Sequence, residues 1–538
     1  MVLRWKSLLI MLIGVSFIVF LSGCSEAAGS NIETTVHLEK DELILSVGSE
    51  PDTGFDPTTG WGRYGSPLFQ STLLKRDKDL EIAYDLATNY EVSEDGRVWT
   101  VNLREDAFFT DGEALTATDV KFTFDKAQTS GSILDLTVLD RVEIHDEYTV
   151  VFHLKEPQST FIQTLLTLGI VPEHAYDDQY AESPIGSGPF KLVQWDKGQQ
   201  MIVEANLDYY EKAPFFQKIT FLFLNEDAAF AAAKAGQADM AYIPAAFSTQ
   251  EVPGMRIESI HSVDNRGIMF PYVASGEKTE EGLEVGNDVT SDLAIRQAIN
   301  LAVDRQGLVD GILEGFGTPA YSVADRLPWW NEETVITDND FTAAQEIVAN
   351  AGWVDESGDG VLEKDGLKAE FKLLYPASDV TRQSLAIAVA DMIKPLGITI
   401  IVEGKSWDDI QAQMHSNAVL MGWGSHDPLE IYHVYSGKNA GVEWFNSGYY
   451  HNETVDDYLE SALAATTEEE AIEYWKKAQW DGQAGFSAKG DAPWAWLVNI
   501  DHIYLVDENL DIGEQRIQPH GHGWPITDNL VDWKWKEN

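Results

Sequence analysis

Apolar and polar positions recur along this chain with two different periods, and the two alternate. In "DELILSVG" (41–48) and "VWTVNLRE" (98–105) β-branched, aromatic and aliphatic residues return every second position, which predicts strands with one buried face. "TATDVKFTFDKAQ" (116–128) shifts to the helical period, with Val120, Phe124 and Ala127 on one side and Thr118 as an N-cap type residue. "EDAAFAAAKAGQADMAYIP" (226–244) predicts an alanine-rich helix closed by Gly236 and followed by a strand. In "SDLAIRQAINLAVDRQGLVDGILEGFG" (291–317) a cap is expected at Ser291, with Leu293, Ile299 and Val303 on one helical side. Strands interleaved with helices predict a mixed α/β fold. No short repeat is visible, and no apolar run after residue 24 is long enough to span a bilayer.

The first 24 residues follow another pattern. "MVLRWKSLLIMLIGVSFIVFLSGC" places Arg4 and Lys6 before an apolar run from Leu8 to Leu21 and ends in Leu21-Ser22-Gly23-Cys24. This predicts an export signal over residues 1–23, shorter than the ~20 apolar residues of a comfortable spanning helix. Its end resembles the lipobox of bacterial lipoproteins, which implies that Cys24 is lipidated and becomes the new N-terminus. Cys24 is also the only cysteine, so no disulfide can form within the chain. The small, polar stretch that follows reads as a flexible tether over 24–40. The folded part is therefore expected outside the cytoplasm, held to the cell membrane by a lipid anchor.

Charge narrows the partners. The chain has 538 residues and a net charge of −51; losing Arg4 and Lys6 with residues 1–23 makes it −53. Acids spread along the whole length repel nucleic acid and anionic lipid and favour cationic over anionic ligands. With 44% hydrophobic residues the chain can bury large cores, and its length predicts two to four domains at ~150 residues each. Its 17 Trp and 19 Tyr are core material first, and also suit walls that stack on a ligand.

Catalytic motifs do not appear. The chain contains no GxSxG elbow, HExxH or P-loop, and no enzyme and no catalytic cofactor are expected. "DESGDGVLEKDG" (355–366) matches the first positions of a calcium loop with Asp355, Ser357, Asp359 and Gly360, but has Gly366 where the bidentate Glu belongs, so a turn is expected. "GSGPF" (186–190) lacks the helix and Lys of a phosphate cradle and reads as a turn into a strand.

A resemblance carries the reading further. In "EDGRVWTVNLREDAFFTDGEALTATDVKFTFDKA" a strand ending at Arg104 is followed by Glu105, Phe108 and Phe109, Asp111-Gly112 and a helix beginning Thr116 to Val120. That segment resembles the signature of the family 5 extracytoplasmic solute-binding proteins, which serve peptide and nickel ABC importers. Further matches follow in family order, at Pro184 to Gly198, Asn206 to Phe221, Ala231 to Tyr242, from Ile295 and from Tyr449. The resemblance implies a two-lobed periplasmic-binding-protein-like α/β fold (type II, cluster C) with an extra subdomain in the first lobe. On this chain it implies lobe one over 41–262, with the inserted subdomain near 67–184, lobe two over 263–487, and a return segment over 488–538 completing lobe one. It further implies a monomer that closes over a solute and hands it to an ABC permease and its ATPase.

The ligand is less directly indicated. In the peptide-binding branch an Asp near "GW" pairs with the ligand's amino terminus; here "MGWGSHDPLEIY" (421–432) offers Ser425 and His426, and Asp427 before Pro428 matches the family's structural Asp-Pro. The nickel branch tends to carry a His in this segment. The turn "QPHGHGW" places His520 and His522 around one glycine, and neutral imidazoles suit nickel, copper and zinc. Together with the resemblance this makes His426, His520 and His522 the expected metal ligands for Ni(II) or a nickel chelate, with Arg63 and Arg266 as bidentate partners of chelator carboxylates. Trp61, Tyr64, Trp423 and Trp444 are the expected walls and Ser425 a ligand contact. An oligopeptide is the alternative cargo.

Overall fold

The computed structural model describes residues 41–51, 53–130, 134–521 and 524–536. The expected signal segment, tether, lipidated Cys24 and His522 lie outside the described residues.

Two large sheets organise the chain. The first runs in the order Met255–Ile260, His502–Asp507, Met240–Tyr242, Glu42–Ser46, Lys218–Leu222, Gln200–Ala205, Phe190–Asp196. Glu42–Ser46 pairs parallel with both Lys218–Leu222 and Met240–Tyr242, and the remaining pairs are antiparallel. The second sheet orders Gly317–Pro319, Trp494–Ile500, Asn265–Met269, Ala418–Met421, Glu370–Pro376, Thr399–Lys405. Its central strands are buried on both faces: Leu373 and Leu497 pack in one apolar cluster, Leu374 and Trp496 in the cluster on the other side. Period two explains this, since successive side chains of a strand point to opposite faces and both faces are covered.

A third, four-stranded sheet (Ala87–Val92, Val98–Leu103, Thr149–Leu154, Leu139–Asp146) has its own core, where Trp99, Val101 and Leu103 meet Val120 and Phe124 of the helix Ala117–Thr129. That helix starts two residues earlier than a cap at Thr118 would place it. Thr116 is the N-cap: its Oγ1 accepts the Thr118 N–H at 3.3 Å, while its own N–H donates to Asp119 Oδ2 at 2.9 Å, a capping box. Likewise the cap before Leu293 is Asp292 rather than Ser291, Leu293 is exposed, and the predicted long helix is two helices, Leu293–Ala302 and Arg305–Ile312. A break comes at Val303, after which Asp304 caps the second helix through the Gly307 N–H.

The chain passes between the two large sheets twice, and the passages lie side by side. Met255–Ile260 pairs with His502–Asp507 in the first sheet, and Asn265–Met269 pairs with Trp494–Ile500 in the second. Trp494–Ile500 therefore belongs to the second sheet, and the return to the first begins after Ile500, later than the boundary at 488. Hydrogen bonds lock the crossing: Ser262 Oγ donates to Ile500 O at 2.5 Å and Ile500 N–H to Asp264 O at 2.9 Å. The segment around Gln518 lies alongside through a single parallel bridge, with Val263 N–H on Gln518 O and Gln518 N–H on His261 O, each at 2.8 Å.

Candidate functional site

Asp264 sits in the first crossing, 6% exposed. Arg266, two residues on and on the same face of the strand, donates Nη1 to Asp264 Oδ1 at 2.5 Å. His520 Nε2 lies 3.3 Å from Oδ1, and His502 Nε2 3.8 Å from Oδ2. Burial alone would raise this carboxyl, but Arg266, then His520 and His502, hold it well below the usual carboxylate range. The Tyr242 hydroxyl beside it is pushed up to about 12 by burial and then by the Asp264 charge.

A cleft of about 510 Å³ opens next to this cluster, lined by Ser46 to Ser49, Asn225 to Asp227, Tyr242, His502 and Gly521 among others. Its floor lies just beyond the carboxyl ends of the three parallel strands of the first sheet, where open α/β sheets bind ligands. Its volume is that of a small-solute site.

On the second-sheet side, Arg266 has a neighbour in Arg382, at the start of the helix Val380–Ile393, which pairs with Asp379. Burial, and then the nearby Arg266 charge, lower the Arg382 guanidinium. Arg266 Nε, Arg382 Nε and Trp423 Nε1 are buried and have no hydrogen-bond partner. All three are donors. Buried donors rarely stay unmade, so this side offers capacity for an acceptor such as a carboxylate. The sign of the whole-chain charge, which favours cations, does not carry over to this wall. Next to it the Arg382 guanidinium lies 5.7 Å over the Trp407 ring, and Trp444 packs edge-on against Trp407 at 5.3 Å.

The loop Trp423 to Glu430 is held by its own backbone. Gly424 and Ser425 N–H donate to the two oxygens of Glu430 at 3.1 Å, and Asp427 Oδ1 accepts the Leu429 N–H at 2.9 Å. Burial pushes Glu430 up to about 7 and Asp427 up to about 6. Arg63, which stacks over Tyr64 at 5.0 Å, opposes both shifts.

The expected site residues thus divide. Arg266, Trp423, Ser425 and His520 come together around the crossing: Asn265 N–H donates to Trp423 O at 3.1 Å and His520 N–H to Gly424 O at 2.6 Å. Arg63 and Tyr64 approach Glu430. Trp61 is core, edge-on to Phe55 and Trp524, with its indole N–H donating to Pro67 O at 2.7 Å. His426 faces Arg516 and Arg76, which with burial hold its imidazole well below the ordinary value. Two guanidiniums beside it also repel a metal dication, so this histidine does not fit the expected metal set. Among the described residues no three His, Cys, Asp or Glu side chains converge as a metal group. Asp355 forms a turn, accepting the Gly358 and Gly360 N–H at 2.7 and 3.0 Å, and Lys368 neutralises Asp359.

Sequence reasoning missed Asp264, His502, Tyr242, Arg382 and Glu430. The pattern "DNR" could have given the first, because acid and base two apart in a strand share a face. His502 and Arg382 leave no local signal, since their partners are far away in sequence.

Comparison with known proteins agrees with this architecture. The family model "Bacterial extracellular solute-binding proteins, family 5 Middle" matches residues 81–442. Protein XP55 of Streptomyces lividans is 32% identical, covering 92% of this chain and 90% of its own. The oligopeptide-binding protein AppA of Bacillus subtilis is 27% identical, covering 94% and 96%. Among solved structures, NikZ from Campylobacter jejuni in complex with Ni(L-His) superposes with a TM-score of 0.72 at 26% identity, covering 92% of this chain and 99% of that one. The fold is the two-lobed α/β fold of type II periplasmic binding proteins. No helix among the described residues is long and apolar enough to cross a membrane. By the family match and the full-length relatives together, this chain belongs to the bacterial extracellular solute-binding proteins of family 5.

Proposed function

We propose that the chain is the extracytoplasmic receptor of an ABC importer, anchored through a lipidated Cys24, and that its cargo is a nickel ion chelated by a small carboxylate-bearing solute. The reading is carried by one juxtaposition. Unfilled donors at Arg266, Arg382 and Trp423 stand on one side of the crossing, with the imidazoles of His502 and His520 and the acids Glu226 and Asp227 towards the cleft. A chelate presents carboxylates to guanidiniums, which bind them as a fork, and a cation to imidazole and carboxylate. The likeness to NikZ bound to Ni(L-His) supports it. The lobes, divided near 262 and rejoined after 500, close about the crossing when cargo binds and present the closed form to permease and ATPase.

A short peptide is the second reading. The relative AppA is an oligopeptide-binding protein, and a zwitterion would also use both sides of the site. A thermal-shift titration separates the two. Nickel with free L-histidine at 100 times its Kd should stabilise the folded protein by about 2.7 kcal/mol, and nickel-free peptides should not. A shift with peptides and none with nickel overturns the nickel assignment.

A further inference from the structure

We infer that the third sheet and its hairpin carry a latch that holds the two lobes shut before any cargo is bound. Its pin is Leu80, at the tip of the hairpin formed by Leu74–Arg76 and Ile82–Tyr84, and its second catch is Ser159. The inference rests on the two-lobed closure above and is independent of which cargo fills the cleft.

The hairpin is rooted in one body and seated in another. Leu73, Leu74 and Leu86 belong to the core of the four-stranded sheet. At the tip, Asp77, Lys78 and Asp79 are exposed, whereas Leu80 is 4% exposed. Leu80 packs in the apolar cluster of the second lobe with Trp329 and Trp475, and among the described residues it is the one member of that cluster from before residue 263. Its backbone is left-handed, at φ +64, a conformation that disfavours leucine and suits glycine. A leucine kept there, among charged neighbours, is held by what its side chain packs against. The turn is built to present it. Asp77 Oδ1 accepts the Asp79 and Glu81 N–H at 2.9 Å each, and Arg76 Nη1 donates to Leu80 O at 2.5 Å. The Arg76 guanidinium also lies 5.7 Å over the Trp329 ring.

The second catch is a helix end. Ser159 N–H donates to Leu463 O at 2.7 Å and its Oγ to Ala462 O at 2.8 Å, in the last turn of the helix Glu453–Ala464. Carbonyls in a last helical turn lack an intrahelical partner, so here one lobe caps a helix of the other. Close by, a methyl on Gly96 would stand 3.3 Å from Thr466 Cγ2, and Arg76 Nη1 is 3.9 Å from Glu468 Oε1. Each contact joins the lobes away from the crossing strands, so parting the lobes breaks it. Burial ranks them. The Leu80 side chain counts most and the two Ser159 bonds next, while the Arg76–Glu468 pair, with Glu468 43% exposed, adds little. A receptor already shut loses less of its cargo's binding free energy to closure, so its affinity rises with the closed fraction.

The experiment compares the mature protein, free of cargo, with Leu80→Gly, which keeps the left-handed turn and removes the pin. Small-angle scattering should find the wild type compact and the variant expanded. Hydrogen exchange read by mass spectrometry should find the Ser159 amide protected in the wild type and exchanging ~10-fold faster in Leu80→Gly, although that substitution removes no partner of Ser159. Ser159→Ala, which keeps the backbone bond and loses the hydroxyl, should expand the protein less, and it keeps the test standing if Leu80→Gly folds poorly. A variant closed for about a tenth of the time binds ~10-fold more weakly than one always closed. Nickel with L-histidine and trialanine, titrated separately, should therefore lose ~10-fold in affinity for Leu80→Gly wherever they bind the wild type. A cargo-free wild type that is already open, or variants with unchanged scattering and unchanged Ser159 exchange, overturns the latch and leaves the receptor reading standing. Wild-type protein that takes up neither probe overturns both cargo readings and leaves the latch to be decided by scattering and exchange.

Discussion

Three buried arginines and a fourth that is partly buried divide the molecule into two kinds of region. In the core of the second sheet, Arg305 donates to Ala320 O and Trp496 O through Nε, to Asn300 O and Asp338 Oδ1 through Nη1, and to Asn300 Oδ1 through Nη2. Arg296 is filled in the same way by Thr290, Ser291 and Asp491 carbonyls and lies 4.4 Å over Tyr272. At the crossing, Arg266 and Arg382 each have a carboxylate partner, yet their Nε atoms donate to nothing. Arg266 is buried like the core pair and Arg382 is somewhat more exposed; the larger difference is the completeness of hydrogen bonding. A saturated guanidinium is structural, because nothing can be added to it. One with a donor to spare, at the edge of a cleft, is poised for a ligand.

Substitutions on either side can break this contrast. The largest effect belongs to the core. Arg305→Met strands Asp338 and several buried acceptors, and should cost about 3–5 kcal/mol in urea unfolding; a loss below 1 kcal/mol would remove the distinction. At the crossing, Arg382→Gln should change stability by less than about 1 kcal/mol, because its pair with Asp379 is partly exposed. The same variant should weaken binding of a carboxylate-bearing cargo by about 2 kcal/mol, roughly 30-fold by calorimetry. Destabilisation without lost affinity would make Arg382 structural too.

The third prediction concerns acids and is the smallest. Glu430, up at about 7, and Asp427, up at about 6, hold their protons more tightly in the folded protein than in the unfolded chain. Their contribution to stability is therefore complete below about pH 4 and is lost as pH rises through 6 and 7. Each such group gives a slope of at most about 1.4 kcal/mol per pH unit, and because Glu430 is only half-buried, solvent screening reduces its total to the order of 1–2 kcal/mol. Thermal melts from pH 5 to 8 should fall less steeply in Glu430→Gln than in the wild type, with Asp325, also up at about 7, keeping part of the slope. Asp264 has the opposite sign and acts only at more acid pH, since its folded carboxyl is held low. Equal slopes in both proteins would show that Glu430 is ionised in its backbone cradle.

Local signals account for what was legible. The alanine-rich run gave the helix Glu226–Lys234, with Gly236 at φ +69 just past its end, and period two gave Val98–Leu103. Cap positions slipped where two cap-type residues stand close together, as at Thr116 and Thr118 or Ser291 and Asp292, because only the helix phase decides between them. Among aromatic residues, Trp61 and Trp423 look alike in sequence. One spends its indole N–H on Pro67 in the core while the other leaves it unmade beside the crossing.

The order of strands and helices, the α/β class and the family are properties of the sequence alone, because spacing, caps and signature segments are local and survive in one dimension. Tertiary structure alone decided which polar groups are left open. Arg305 is filled by Trp496, 191 positions away, and His502 is oriented by Gln518 and faces Asp264 from the other crossing. Whether a buried donor or lone pair is satisfied depends on partners that only folding brings within hydrogen-bond reach, and Arg266, Arg382 and Trp423 at the crossing each keep a group for which it brings none.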